Sequence, residues 1–358
     1  MQVLERTGAP ASVAIGPMTV GPGQRTLVIA EAGVNHNGCI ETARRLVELA
    51  ARAGADAVKF QRFCAEELAT ASAPTARYQR AAGGADSQRA MLAALELDLE
   101  AFRRLRDDCQ EHGILFLATP FSLRNVEELV ELGVPAIKIA SADLRYPQLL
   151  EAAAATELPL IVSTGAAQAE EIDAGVRLLA AAGAESRLVL MHCVSAYPAP
   201  AEAMNLRAIR RMEESFGVPC GLSDHSVSVS MGSWAVAAGA GAVEKHFTMS
   251  RSAAGPDHRT SLEPASLARY IARIRNVERA MGCGSLGMQA VEREVRTVAS
   301  RSVIAGQAMA RGTVVTRGML AIRRPGTGIP AVELDDVVGR RVLRDVAADT
   351  VLTWEMLS

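Results

Sequence analysis

Lysine is nearly missing from this chain of 358 residues. Lys59, Lys138 and Lys245 are its only three, within a total of 38 Lys+Arg. With 40 Asp+Glu the formal net charge is −2, which leaves no bulk positive field to hold nucleic acid or an anionic membrane surface. Aromatic residues are few, at 4%. No run of about 18 apolar residues occurs, so no membrane-spanning helix is expected. Met1 to Gln24 includes Glu5 and Arg6 and lacks a continuous apolar core, so it is not expected to be a secretory leader. The six cysteines (Cys39, Cys64, Cys109, Cys193, Cys220 and Cys283) have neither zinc-knuckle nor redox-pair spacing. These absences predict a soluble, cytoplasmic protein without a disulfide framework. What is present is ordinary globular material: 49% apolar and 22% charged residues, enough for one large domain and a smaller one.

The pattern along the chain alternates short apolar runs with helical periodicity. The extended runs are Thr26–Glu31, Asp56–Gln61, Ile114–Thr119, Ala136–Ala140, Pro159–Ser163, Leu188–Cys193, Val218–Leu222 and Ala242–His246. Between them lie helical stretches, including Cys39–Ala53, a long Ser87–His112, Ala169–Ala182 and a last one at Leu267–Met281. Eight β/α alternations over about 250 residues predict an α/β fold, a (β/α)8 TIM barrel. A doubly wound open sheet is disfavoured, because no Gly-x-Gly-x-x-Gly turn follows the first run. The expected boundaries are an N-terminal extension at 1–25, the barrel at 26–282, a linker at 283–300 and a small β-rich domain at 301–358. In that last domain Val303–Ala305, Thr313–Thr316, Arg323–Ile329 and Val337–Val342 are expected to be extended.

Chemistry in such barrels gathers where the strands end. Glu31, Lys59, Thr119, Lys138, Ser141, Ser163, His192, Ser223, Asp224, His225, Lys245 and His246 all fall at or just after predicted strand ends. Where arginine carries nearly all the background charge, a retained lysine suggests a need for a compact ammonium group. Several ammonium groups in one mouth, near Glu31, Asp143, Asp224, Glu244 and Asp257, call for an anionic ligand. Lys59 and Lys138 with the hydroxyls suit a phosphate and a carboxylate. Taken singly, each Ser or Thr is as well explained as a helix cap. Lys245 precedes a strand-end histidine, so alternation aims it to the other side; it either pairs with Glu244 or serves the site. His225 and His246, after adjacent strands, suit a divalent ion with water and substrate oxygens, or else a hydrogen-bonded interior pair.

In order, the motifs Ala30-Glu31-Ala32-Gly33-Val34-Asn35-His36-Asn37-Gly38, Val58-Lys59-Phe60-Gln61, Thr119-Pro120-Phe121, Lys138-Ile139-Ala140-Ser141, Ser163-Thr164-Gly165, Gly221-Leu222-Ser223-Asp224-His225, Glu244-Lys245-His246-Phe247 and Gly255-Pro256-Asp257-His258 resemble the sialic acid synthase family over about residues 26–282. The final segment, with Arg324-Pro325-Gly326-Thr327-Gly328-Ile329, resembles that family's antifreeze-like (SAF, β-clip) domain. The resemblance implies condensation of phosphoenolpyruvate with an N-acylated amino-sugar aldehyde, such as N-acetylmannosamine, to give a nonulosonic acid and phosphate. It implies a divalent metal on His225 and His246, expected to be Mn2+ with Mg2+ or Co2+ as alternatives. Glu31 and Asp143 then match acid/base positions, and His225 and His246 share the catalytic role through the metal. Lys59, Thr119, Phe121, Lys138, Ser141, Ser163 and Ser223 match phosphoenolpyruvate-side positions, and Tyr197 and Asp257 sugar-side ones. Arg324 matches an arginine reaching the sugar's acyl group from a neighbouring subunit, which implies a domain-swapped homodimer. Asp143 stands where many members have glutamate, and Met249-Ser250-Arg251 replaces a more usual Leu-Asp-Arg. A Schiff-base aldolase on the same barrel and a non-catalytic carbohydrate-binding protein are the rival readings.

Overall fold

The computed structural model describes residues 12–75 and 87–358. The chain divides into two compact units, one ending at Cys283 and one spanning Gly284–Ser358.

The first unit opens with a hairpin, β1 (Val13–Ile15) and β2 (Met18–Val20), followed by eight parallel strands. These are β3 (Leu27–Gly33), β4 (Ala57–Arg62), β5 (Leu115–Pro120), β6 (Ile137–Ile139), β7 (Leu160–Ser163), β8 (Leu188–Cys193), β9 (Cys220–Asp224) and β10 (Ala242–His246). They close into a barrel in sequence order, with β10 pairing back onto β3. The predicted TIM barrel is therefore present.

Strand alternation sorts the side chains into three sets. Val28, Ala30, Val58, Phe60, Ala118 and Leu222 face outward and pack under the helices. Leu27, Ile29, Ala57, Leu117, Ile161 and Ala242 face inward near the strand starts. Val13, Ile15 and Val20 of the hairpin pack with them, so part of the expected N-terminal extension closes the barrel's lower end. The inward positions near the strand ends are the polar ones: Glu31, Lys59, Thr119, Lys138, Ser163, Ser223, Glu244 and His246.

The helices follow the apolar spacing. In α1 (Ile40–Ala53), Ala43, Leu46, Val47 and Ala50 are buried on one face, and Gly54 stops the helix in the left-handed conformation. A short α2 (Ala65–Leu68) comes next, and the long helix expected over Ser87–His112 is two, α3 (Gln88–Ala93) and α4 (Leu99–Glu111). Asp98 breaks it, since its side chain accepts the Ala101 N–H and caps a new helix. The remaining helices are α5 (Leu123–Leu132), α6 (Pro147–Ala155), α7 (Ala169–Ala181), α8 (Arg207–Phe216), α9 (Met231–Ala237) and α10 (Pro264–Met281).

The second unit starts with α11 (Arg293–Ala299), inside the expected linker. Strands β11 (Ser302–Ala305) and β12 (Leu320–Arg323) pair antiparallel over a core including Val303, Ile329, Val342 and Leu352. The other expected strands shrink. Thr313–Thr316 and Val337–Val342 contribute single bridges, because Val337 ends α12 (Leu334–Val337) and Gly339 turns the chain at positive φ. Beyond Arg323 a turn forms, in which the Ser302 hydroxyl donates to the Pro325 carbonyl and accepts from the Gly328 N–H.

Candidate active site

Two ammonium groups and two carboxylates interlock inside the barrel mouth. Lys59 Nζ lies 2.5 Å from Glu31 Oε2 and 3.8 Å from Glu244 Oε2, and donates to Thr119 Oγ1 at 3.0 Å. Lys138 Nζ lies 3.7 Å from Glu244 Oε1 and donates to Ser163 Oγ at 2.6 Å. Ser223 Oγ donates to Glu244 Oε1 at 3.2 Å, and Gln61 Nε2 to Glu31 Oε1 at 3.2 Å. All four charged side chains are at most 5% exposed, and burial of charge on this scale is costly. Removing this cluster would relieve that cost, so its retention points to use.

The register explains the arrangement. Glu31 sits opposite Lys59 on one side and His246 on the other. Burial pushes the Glu31 carboxyl above its ordinary range against the pull of Lys59, with the Glu244 charge adding to the rise. Burial also opposes ionisation of Glu244, but Lys138, Lys59 and His225 outweigh it and hold that carboxyl low. The two glutamates are thereby driven apart, one toward the acid and one toward the carboxylate, as acid/base pairs require. For Lys59 burial is overcome by Glu244 and Glu31, so it stays charged, whereas burial leaves Lys138 below its ordinary value.

His225 and His246 face each other with ring centroids 5.4 Å apart, and the Tyr197 ring lies 4.2 Å from His225. His225 Nδ1 donates to the Val194 carbonyl at 2.8 Å, which leaves Nε2 as an acceptor. His246 Nδ1 is buried without a hydrogen-bond partner, 3.9 Å from Asp257 Oδ2. Burial and the charges of His225, Lys59, Lys245 and Lys138 keep His246 neutral. The orphaned lone pair of His246, joined by His225 once a metal displaces the proton that its surroundings favour, suits a divalent ion whose other positions go to oxygen ligands. No set of three or more His, Cys, Asp or Glu that could hold a metal occurs among the described residues.

Two glycines allow close packing beside the site. A Cβ at Gly165 would come within 2.4 Å of Ser195 Oγ and 2.8 Å of Ser141 Oγ, and the Gly165 N–H donates to Ser141 Oγ at 2.9 Å. At Gly33, with φ +54°, a Cβ would sit 3.1 Å from Glu31 Oε1 and 3.7 Å from Asp257 Oδ2. At Gly165 a Cβ would collide with these hydroxyls, and at Gly33 it would press on Glu31 at positive φ, so both positions need glycine.

Most residues expected at the mouth converge there; two expectations need correction. Lys245 is outside the barrel, between β10 and the helices. Its Nζ pairs with Asp224 Oδ2 at 3.0 Å rather than with Glu244, donates to the Ser226 carbonyl and lies over the Tyr270 ring. Phe121 packs edge-on against Phe63 in a small apolar cluster rather than on the charged groups. His192 turns outward and is bonded to the Met204 carbonyl at 2.8 Å, the structural hydrogen bond expected of a lone histidine. Arg324 follows β12 in the second unit and is exposed. Glu244, Gln61 and Ser195 received no role from the sequence; for Glu244 the signal was available, because alternation that sends Lys245 out brings its neighbour in.

Asp143 follows β6, its Oδ2 buried without a partner, and burial raises its pKa to about 6 against the pull of Lys138. A raised carboxyl favours folding below its unfolded value and loses that contribution as pH climbs from about 3.8 through about 6. Asp143→Asn should therefore raise the melting temperature of the ligand-free protein at pH 8 and change it little at pH 4. Equal shifts at both pH values would show that Asp143 is ionised freely.

Fold and site together define a class: a (β/α)8-barrel enzyme with a charged, hydroxyl-lined anion site at the strand ends. A model of the NeuB family matches residues 46–285, and one of the SAF domain matches residues 300–358. The chain is 36% identical over 331 residues to N,N'-diacetyllegionaminic acid synthase of Campylobacter jejuni, covering 92% of this chain and 99% of the relative. It is 30% identical to human N-acetylneuraminate-9-phosphate synthase, covering 94% of each chain. The crystal structure of the N-acetylneuraminic acid synthetase of Leptospira borgpetersenii superposes with a TM-score of 0.72 at 35% identity, over 81% of this chain and 96% of that one. The chain belongs to the NeuB family, with a C-terminal SAF domain. It is an enzyme, a carbon–carbon bond-forming synthase.

Proposed function

We propose that this chain condenses phosphoenolpyruvate with an N-acylated amino-sugar aldehyde, giving a nonulosonic acid and phosphate. The observation that carries the reading is the interlocked Lys59, Lys138, Glu31 and Glu244 cluster, ringed by Thr119, Ser163 and Ser223. Burial works against the negative charge of Glu31, which leaves Lys59 less fully matched and favours an anion. Lys59 and Lys138 then bind the phosphate and carboxylate of phosphoenolpyruvate, with Ser141 and Ser195 at the phosphate end.

In the reaction C3 of phosphoenolpyruvate adds to the aldehyde carbon and the aldehyde oxygen takes a proton. Positive charge develops at C2, water adds there, and the C2–O bond to phosphate breaks. Glu31 holds and moves a proton at its carboxyl beside the forming bond, and Glu244 and Asp143 stabilise positive charge near C2. Holding both substrates with their carbons in contact removes much of the entropic barrier. A divalent ion on His225 and His246, Mn2+ with Mg2+ or Co2+ as alternatives, would supply Lewis-acid polarisation of the aldehyde oxygen. Tyr197 and Asp257 hold the sugar.

The reading extends to a cytoplasmic, domain-swapped homodimer in which Arg324 reaches the acyl group of the sugar bound by its partner. No helix among the described residues is long and apolar enough to cross a membrane. EDTA should abolish phosphate release and Mn2+ restore it. A substrate adduct trapped on Lys59 or Lys138 by borohydride, with activity indifferent to EDTA, would instead favour the Schiff-base aldolase.

A further inference from the structure

The motifs Asn35-His36-Asn37-Gly38 and Gly255-Pro256-Asp257-His258 lie far apart in the chain and are bonded to each other. His258 is 2% exposed and both its ring nitrogens are engaged, Nε2 with Asn37 Oδ1 at 3.2 Å and Nδ1 with Thr248 Oγ1 at 2.7 Å. Asn37 decides which nitrogen carries the proton. Its Nδ2 donates to the Ala254 carbonyl at 2.9 Å, so the atom facing the ring is the amide oxygen, which only accepts. Nε2 is therefore the donor. The Thr248 hydroxyl, 2.7 Å from Nδ1 and 3.2 Å from the Ser250 carbonyl, gives its one proton to the ring. Burial pushes the His258 pKa below its ordinary value, which favours this neutral form. Gly255 lets the bond to Asn37 pass: at φ +144° a Cβ there would lie 2.7 Å from Asn37 Oδ1 and 2.9 Å from His258 Nε2.

Asp257 stands next to this lock. Its carbonyl accepts from Ser261 Oγ at 2.6 Å and Thr260 Oγ1 at 3.0 Å, and Asn35 Nδ2 donates to the same Ser261 hydroxyl at 2.9 Å. Its carboxyl points at the paired histidines, with Oδ2 3.9 Å from His246 Nδ1. The backbone that aims this carboxyl is thus held from the connection between β3 and α1, by Asn35 through Ser261 and by Asn37 through His258. We propose that His258 is a positioning residue for the sugar acceptor, holding residues 249–261 on Asn37 so that the Asp257 carboxyl keeps its place beside His246. The assignment rests on the condensation proposed above, in which Asp257 holds the sugar. His258 acts through Asp257 and not on the substrate itself. Lys59 and Lys138 stand on barrel strands, so loosening this loop leaves the phosphoenolpyruvate end in place.

Steady-state kinetics with Mn2+, phosphoenolpyruvate and the N-acylated amino sugar that the parent uses best, N-acetylmannosamine first, separates the two substrates. His258→Ala should lower kcat/KM for the sugar by about 10–10²-fold, the scale set by displacing a binding group by about an ångström. KM for phosphoenolpyruvate should stay nearly unchanged. His258→Gln brings an amide N–H to the place of Nε2 and should recover most of the loss. His258→Asn reaches only Thr248 and should not. Asn37→Gly removes the same bond at an exposed position whose φ of +51° suits glycine, so it should show the sugar defect while melting close to the parent. Equal losses for both substrates, equal behaviour of the Gln and Asn variants, or full activity of Asn37→Gly would overturn the assignment while the condensation stands. A parent that releases no phosphate with any N-acylated amino sugar would instead overturn the condensation, and the assignment with it.

Discussion

Lys59→Met lowers kcat/KM for phosphoenolpyruvate by about 10²–10³-fold, the range expected when one partner of a buried, hydrogen-bonded charge pair is truncated. Two effects combine. The substrate loses an ammonium group, and Glu31 and Glu244 are left facing each other without the cation that lies 2.5 and 3.8 Å from them. The pull of Lys59 on both carboxyls is lost, so Glu244 rises toward Glu31 and the separation between acid and carboxylate shrinks along with the binding. Lys59→Arg should not rescue activity. The ammonium sits between Glu31 and the Thr119 hydroxyl at 3.0 Å, and a planar guanidinium cannot replace a compact charge in that space. The check is steady-state kinetics on protein shown by circular dichroism to be folded; a loss smaller than tenfold would remove Lys59 from the anion site.

Lys245→Met should cost stability rather than chemistry, by about 3–5 kcal/mol, the usual result of stripping one partner from a buried pair. Asp224 is 1% exposed and Lys245 equally so. The carboxylate would keep the Ser226 N–H at 2.8 Å and the Tyr270 hydroxyl at 2.9 Å but lose its only cation among the described residues. For a unit of this size the melting temperature should fall by at least about 6 °C. Lys245→Met combined with Asp224→Asn should recover part of the loss, since no charge then remains to be buried alone. A single variant within about 1 kcal/mol of the parent would show that the pair is dispensable.

The two lysines show how much a sequence can carry. Strand ends in a barrel are legible from hydrophobic runs, so Lys59, Lys138, Ser163 and His246 could be placed at one mouth before any coordinates. The side of the strand is legible too, from alternation, and applied evenly to β10 it brings Glu244 and His246 in and sends Lys245 out. What alternation cannot supply is the partner. Lys245 meets Asp224 because β9 and β10 pair in register, residue against residue, and that register is set by the closed sheet rather than by local pattern. The same holds for Gly165, whose neighbours Ser141 and Ser195 follow β6 and β8. In the second unit local pattern misleads, because β-prone runs such as Val337–Val342 are interrupted by a helical turn and by Gly339. Likewise Ser87–His112 has helical composition throughout, and one capping aspartate divides it.

Phosphate release from phosphoenolpyruvate, measured with and without an N-acylated mannosamine in the presence of Mn2+, decides whether the barrel joins the two. The expected result is one phosphate for each molecule of a new, longer 2-keto acid, and none when the sugar is omitted. Phosphate released equally fast without sugar, or no longer 2-keto acid formed with any N-acylated amino sugar, would contradict it.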